Sequence, residues 1–293
     1  MLNITESQLL DELRNRFEEK SRLMAALERA TMELQGVNAK LMASESLKGH
    51  FLSNIRNEIN NPLTAILGLS ENLASDEETD PASVQTMARL IYQEAFNLDF
   101  QLRTIFAAAE IEAGEARVHG AEIDMPRFLR RVIDSFRHQL SAKSLDVTFD
   151  PRPLVASGGE RFSSDPEKLH LILAHLLSNA IEYSPQGQVV DIEMALHDGV
   201  LLATFVDRGP GIAFDDQQRI FDRFVQLDTG LTKRHRGHGL GLAVARGAAE
   251  LLSGNIELES QVGKGSRFTA RIPQLASAQP LNIYAIDGNE ELF

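Results

Sequence analysis

The sequence predicts an α+β protein in which a long helical N-terminal part precedes a mixed helix-and-strand domain. Three observations carry this. Residues from about 9 to 50 hold no proline and one glycine, Gly36, among many Leu, Glu, Lys, Arg and Ala, which is helix composition. Two further helical stretches flank the polar segment SDEETDP, Ser75 to Pro81. From about residue 120 the apolar pattern changes to short alternating runs separated by glycine-containing turns.

In the first stretch Leu23, Leu27, Ala30, Leu34, Val37, Leu41 and Ser44 follow a 4-3-4-3 spacing. Such a heptad seam implies a parallel coiled coil between two chains, the alternative being an amphipathic helix packed on its own domain. Leu10, Leu13 and Phe17 form a stripe out of phase with it, a stutter that changes supercoiling locally. The helix continues through Leu47, Phe51, Ile55, Ile59, Leu63 and Ile66, and Pro62 is expected to kink it rather than end it. A second helix is expected from about Ala82 to Ile111, with Leu90, Ile91, Leu98, Leu102 and Phe106 on its apolar side. Two helices joined by a short loop make a hairpin, and two hairpins make a dimeric four-helix bundle. The expected division is a coiled-coil signalling helix over 1–43, a helical hairpin over 44–113, an α/β domain over 120–275 and a tail over 276–293.

Gly114 marks the linker into that domain. Asp124 is placed to cap a helix running to about Ser141, and Val147 to Asp150 reads as a strand. Asp165 opens a helix reaching Tyr183. Val190, Ile192 and Met194 alternate with Asp191 and Glu193, and the turn His197-Asp198-Gly199 leads into Leu201 to Val206 as a hairpin. A helix from about Gly241 to Leu252 and strands over Ile256 to Ser260 and Ser266 to Ile272 close the domain.

Composition narrows the function classes. Of 293 residues 43% are hydrophobic, yet no window approaches the 18 consecutive apolar residues of a membrane helix, so no membrane segment is expected in this chain. The opening MLNITESQLLDELRNRFEEK lacks the basic start and apolar run of a secretory signal. There is no cysteine, which excludes disulfides and Cys-ligated zinc and fits a cytoplasmic location. A net charge of −13 does not favour nucleic acid as a partner.

Three local patterns suggest chemistry. In VDRGPGI a strand delivers Asp207 and then turns through Gly209 and Gly211; a carboxylate there can accept a hydrogen bond from an exocyclic amine, although D-x-G turns are also common as plain loops. In GHGLGL the glycines Gly237, Gly239 and Gly241 precede a helix, where unpaired N–H groups can hold phosphate. Lys233, Arg234, His235 and Arg236 stand just before them, either as a solvated loop or as a cationic lid. Asn179, within the apolar helix segment HLLSNAIEYSP, needs a partner, either a Mg²⁺ shared with nucleotide phosphates or a backbone group.

In this order and spacing the patterns resemble the ATP-binding domain of sensor histidine kinases, a branch of the GHKL ATPases, and the likeness runs from about residue 44 to 273. The resemblance implies ATP and Mg²⁺ as ligands. It makes Asp165 to Pro185 the N box, with Asn179 as the Mg²⁺ ligand and Tyr183 beside the base. It makes Asp207, Gly209 and Gly211 the adenine-reading box, IFDRF with Phe221 and Phe224 the F box, and Gly237, Gly239 and Gly241 the second glycine box, with Arg234 and Arg236 beside it. GKGSRF, Gly263 to Phe268, is similar to the last glycine motif. The hairpin resembles the dimerisation and phosphoacceptor domain of the same family, which implies a homodimer that works on a response regulator or a partner histidine kinase.

The departures are as informative. The family's acceptor box reads H-E-x-x-[TN]-P, and here Asn57-Glu58-Ile59-Asn60-Asn61-Pro62 stands in its place. An amide nitrogen is delocalised and is no nucleophile, so the expectation is a pseudokinase without phosphohistidine at 57. His50, seven residues earlier, is the one nearby substitute acceptor. Glu58 and Asn61, three apart and on one helix face, retain the pattern that supports dephosphorylation of a regulator in the family. His175 replaces the family's first N-box Asn, and Glu182 replaces a Lys that approaches the phosphates. The segment LNIYAIDGNEELF from Leu281 faintly resembles the start of a receiver domain, and otherwise reads as a plain tail.

Overall fold

The computed structural model describes residues 59–75, 80–227 and 239–276, all within one compact unit. Segment 1–43, expected as a coiled coil, Asn57 and Glu58, the stretch with Arg234, Arg236 and Gly237, and the tail from 277 lie outside the described residues.

Helix α1 covers 59–75 and includes Pro62. Helix α2, Pro81–Ala113, has 33 residues and is on the order of 50 Å long. Its start is specified locally, because Asp80 accepts hydrogen bonds from the N–H groups of Ala82 and Ser83 and Pro81 needs no donor partner. It ends at Gly114, whose φ of 67° lets its N–H turn back to Glu110 and Ile111.

Two strands escape the periodicity reading: β1 (Ala121–Asp124) and β3 (Arg161–Ser164), which pair antiparallel. β3 holds one apolar residue, Phe162, and each strand is specified by its pairing with the other. Asp124 does cap a helix, accepting from Arg127 N–H at 3.0 Å. The single helix expected up to Ser141 is two, α3 (Met125–Ser135) and α4 (Arg137–Ala142), broken at Phe136. The break turns the Phe136 ring edge-on to Phe96 and Phe100 of α2, at centroid distances of 5.6 and 5.5 Å. Burying that ring outweighs one continuous turn of helix hydrogen bonding.

The main sheet contains β2 (Asp146–Phe149), β4 (Val189–His197), β5 (Val200–Asp207), β7 (Gly265–Pro273) and β6 (Asn255–Gln261), in the order β2-β4-β5-β7-β6. Only the β2–β4 pair is parallel. The short helix α5 (Arg152–Ala156) follows β2. Helices α6 (Pro166–Tyr183) and α7 (Gly241–Leu251) pack on each other and against the sheet. Leu201, Ala203 and Phe205 alternate along β5 with less buried neighbours, and Phe268, Ala270 and Ile272 do the same on β7. These residues meet Leu169, Ile172, Leu173, Leu176 and Leu177 of α6 in one core.

Both ends of α6 are tied down. Asp165 accepts at Oδ1 from the N–H groups of Glu167 and Lys168, and at Oδ2 from His119 N–H at 2.7 Å, which straps the incoming linker to the helix. At the other end Lys143 Nζ donates to the carbonyls of Ile181 and Glu182, placing a cation on the negative end of the helix.

Candidate nucleotide site

Asp207 ends β5 and is 2% exposed. Its Oδ1 accepts from Gly209 N–H at 2.8 Å and from Ser266 N–H at 3.2 Å. Burial raises the pKa of its carboxyl above the ordinary value, opposed by those two N–H groups and by the Ser266 hydroxyl. Both backbone donors land on one oxygen, so the carboxylate keeps capacity at Oδ2 for an outside donor. Gly209 is required by space: a Cβ there would lie 2.7 Å from the Tyr183 carbonyl oxygen and 2.8 Å from Asp207 Oδ1. The end of α6 and the end of β5 are thus in van der Waals contact, and Tyr183, 37% exposed, stands at the rim of the carboxylate site.

The loop after β5 folds onto the β6–β7 turn. Ile212 N–H donates to Ser260 Oγ at 2.8 Å, Gly263 N–H to the Pro210 carbonyl at 2.7 Å, and Gly211 sits against Gln261. Ser266 belongs to the GKGSRF motif, yet its contact with Asp207 is a consequence of the β5–β7 register, in which the two are partners. Lys143 had no signal at all in the sequence, since it lies 39 residues from Glu182.

Phe221 is buried, edge-on to Phe268 at 6.3 Å with the Arg246 guanidinium 5.6 Å from its centroid. Phe224 is half-buried, and its N–H bonds the Gly239 carbonyl at 2.9 Å. Gly239 has φ +66°, and a Cβ on it would lie 2.7 Å from the Val225 carbonyl oxygen. The F-box turn and the second glycine box are therefore fastened to each other at the start of α7. Asn179 is half-buried on α6 and not enclosed in the core, contrary to the buried amide expected from its apolar neighbours. The reason is that it lies off the stripe of α6 that meets the sheet. His175, four residues earlier, is fully buried, its ring 4.8 Å from that of Phe100, and burial with the neighbouring charge of His170 depresses its pKa to about 3. Glu182 is half-buried in the last turn of α6. Asn61 is exposed on α1.

Among the described residues no three His, Asp or Glu side chains converge as a metal cage. Mg²⁺ characteristically takes one or two protein oxygens and completes its shell with phosphates and water, and a half-buried amide oxygen at Asn179 suits that manner of binding. No helix among the described residues is long and apolar enough to cross a membrane.

A helical hairpin followed by a sheet that carries an Asp-Gly turn, an asparagine-bearing helix and a glycine-opened helix defines a phospho-acceptor domain joined to a GHKL-type ATPase domain. Residues 47–114 match the His Kinase A (phospho-acceptor) domain, and residues 164–276 match the histidine kinase-, DNA gyrase B-, and HSP90-like ATPase. With both, the chain belongs to the sensor histidine kinases of two-component systems.

The sensor-like histidine kinase SenX3 of Mycolicibacterium smegmatis is 32% identical over 232 residues, which are 78% of this chain and 58% of SenX3. The circadian input-output histidine kinase CikA of Synechococcus elongatus is 29% identical over 255 residues, 86% of this chain and 33% of CikA. The crystal structure of full-length ShkA in complex with AMPPNP shares the fold at a TM-score of 0.54 and 24% identity, over 81% of this chain and 47% of ShkA. The chain thus spans from a third to somewhat more than half of these relatives.

Proposed function

We propose that this chain binds ATP with Mg²⁺ around Asp207 and acts as a dimeric two-component signalling protein that is not phosphorylated at residue 57. The observation that carries the nucleotide reading is the buried Asp207 carboxylate, held by the Gly209 and Ser266 N–H groups at the mouth of a glycine-lined turn. A carboxylate so placed accepts from the exocyclic amine of adenine, and Tyr183 at the rim covers the base. Gly239 and Gly241 at the start of α7 offer N–H groups to the phosphates, and Gly237, Arg234 and Arg236, just before them in the sequence, are assigned to the same phosphates. Asn179 contributes an amide oxygen to Mg²⁺, which neutralises phosphate charge. Phe221 and Phe224 support the turn beneath this loop.

Residue 57 is an asparagine inside the segment that matches the phospho-acceptor domain. The proposal is a pseudokinase, built as a coiled coil over 1–43, a hairpin over 44–113, a nucleotide-binding body over 120–275 and a tail over 276–293. It forms a homodimer through the hairpin and coiled coil and regulates a response regulator or a partner histidine kinase in the cytoplasm. The exposure of Asn61 favours a second reading, in which Glu58 and Asn61 serve dephosphorylation of a regulator.

Titration calorimetry with ATP and Mg²⁺ and transfer of labelled phosphate test both halves. The unchanged chain is expected to bind ATP and take up no acid-labile label, while Asn57→His gains label. Asp207→Asn is expected to weaken ATP roughly 100-fold, the loss of a hydrogen bond to a buried carboxylate. Acid-labile phosphate on residues 51–63 of the unchanged chain would overturn the pseudokinase reading. An absence of binding heat would overturn the nucleotide reading.

A further inference from the structure

A buried imidazole stands among the contacts between helix α2 and the nucleotide-binding body. His175 on α6 has its Nε2 3.3 Å from Thr104 Oγ1 on α2, and Thr104 is the one buried residue of that helix. The Thr104 hydroxyl donates to the Phe100 carbonyl at 2.7 Å, which uses its only hydrogen. Toward His175 it must therefore accept, so His175 carries its proton on Nε2 and leaves a lone pair on Nδ1. That Nδ1 lies 3.0 Å from where a Cβ on Gly241 would stand. Gly241 is the first residue of α7, in the glycine box assigned above to the phosphates. The ring thus touches α2 on one edge and the start of α7 on the other.

A second contact continues the same line. Ile111 Cγ2 of α2 lies 3.0 Å from where a Cβ on Gly247 of α7 would stand. Thr104 and Ile111 are seven residues apart on α2, and Gly241 and Gly247 are six apart on α7. These spacings correspond to on the order of 10 Å and 9 Å of helix rise, so α2 tracks α7 side by side from the first residue of α7 onward. A displacement of Gly241 toward α6 meets the His175 ring, and packed interiors transmit strain.

We propose that His175 is a positioning residue through which docking of α2 and occupancy of the glycine box regulate each other. This deepens the nucleotide reading and rests on it. Nucleotide settling on the N-terminus of α7 holds Gly241 against His175, and His175 in turn holds Thr104. Linkage makes the effect reciprocal, so a docked α2 raises nucleotide affinity by the factor by which nucleotide stabilises docking.

Hydrogen exchange of the full 293-residue chain, followed over 100–111 with and without AMPPNP and Mg²⁺, tests this. In the unchanged chain nucleotide is expected to slow exchange there about tenfold, within the usual range of such couplings. Thr104→Val keeps the shape and removes the hydroxyl, and the response is expected to fall to about twofold, with nucleotide affinity reduced about fivefold. Thr104→Ser retains the hydroxyl and is expected to restore both, which a purely steric role at Thr104 does not predict. His175→Asn, with a side chain too short to span both neighbours, is expected to behave like Thr104→Val. A Thr104→Val chain that keeps the full tenfold response overturns the coupling and leaves the nucleotide reading intact. So does nucleotide binding without any change over 100–111 in the unchanged chain. If the unchanged chain binds no AMPPNP, the coupling and the nucleotide reading both fall.

Discussion

The nucleotide-binding body and the helical hairpin handle their apolar residues in different ways. In the body, Leu169, Ile172, Phe205 and Phe268 are sealed between α6, α7 and the sheet, and the buried Asp207 carboxylate is held by two backbone N–H groups. In the hairpin, Leu67 is 61% exposed and Phe106 63% exposed, while the one buried residue of α2 is the polar Thr104. α2 lends one side to the body through Phe96, Phe100 and Ile111, and Leu90 and Phe106 remain outside that contact. The body completes its core within one chain. The hairpin leaves an apolar surface that a second chain is suited to cover.

The largest effect that sharpens this contrast is in the body. Phe205→Ala removes a fully buried ring and is expected to cost about 3–5 kcal/mol in denaturant unfolding, enough to unfold a marginal domain. Leu67→Asp in the hairpin is expected to shift the body's unfolding by no more than about 0.5 kcal/mol, and to convert the proposed dimer to a monomer in light scattering. Equal losses of stability from the two substitutions would break the comparison.

A smaller effect follows from acidity at the seam between the two regions. His175 is held neutral with a pKa of about 3, below its ordinary 6.5, by burial and by His170. The unfolded chain therefore binds more protons than the folded one between those values. Stability is lost as pH falls below about 6.5, by up to roughly 1 kcal/mol per pH unit for this group. His170, also lowered by burial and by Arg103, adds to the loss, whereas the raised carboxyl of Asp207 works in the opposite direction through the carboxylate range. His175→Gln is expected to flatten the slope of stability against pH between 6.5 and 5, and an unchanged slope would show that this histidine is not the group responsible. The smallest effect is at the start of α2, where Asp80→Ala is expected to fray the first turn, read as faster exchange there with nucleotide binding unaltered.

Much of the site was legible because its chemistry is local. Asp207 and Gly209 are two residues apart, and the Gly209 N–H reaches back to its own neighbour's carboxylate, so the turn is visible as a word in the sequence. Gly239 and Gly241 announce the start of α7 in the same way. Two helix starts were legible too, since Asp124 and Asp165 each cap the helix that follows them, while the cap at Asp80 emerges from the structure. The break at Phe136 was not, because it answers to Phe96 and Phe100, far back in the chain. Strands β1 and β3 were missed because each is specified by pairing with the other across some forty residues of chain.

The starts of α3 and α6 and the turns that glycine forces were readable from the residues alone, as was the expectation that residue 57, an amide, stands where the family's pattern has an imidazole. Those properties depend on one side chain and its nearest neighbours. That Lys143 caps α6, that Ser266 shares the Asp207 carboxylate, and that His175 lies between Thr104 and Gly241 emerge when the chain packs. These contacts join residues 38 to 71 positions apart, and such pairs are selected by how whole faces of helix and sheet come to share one buried volume.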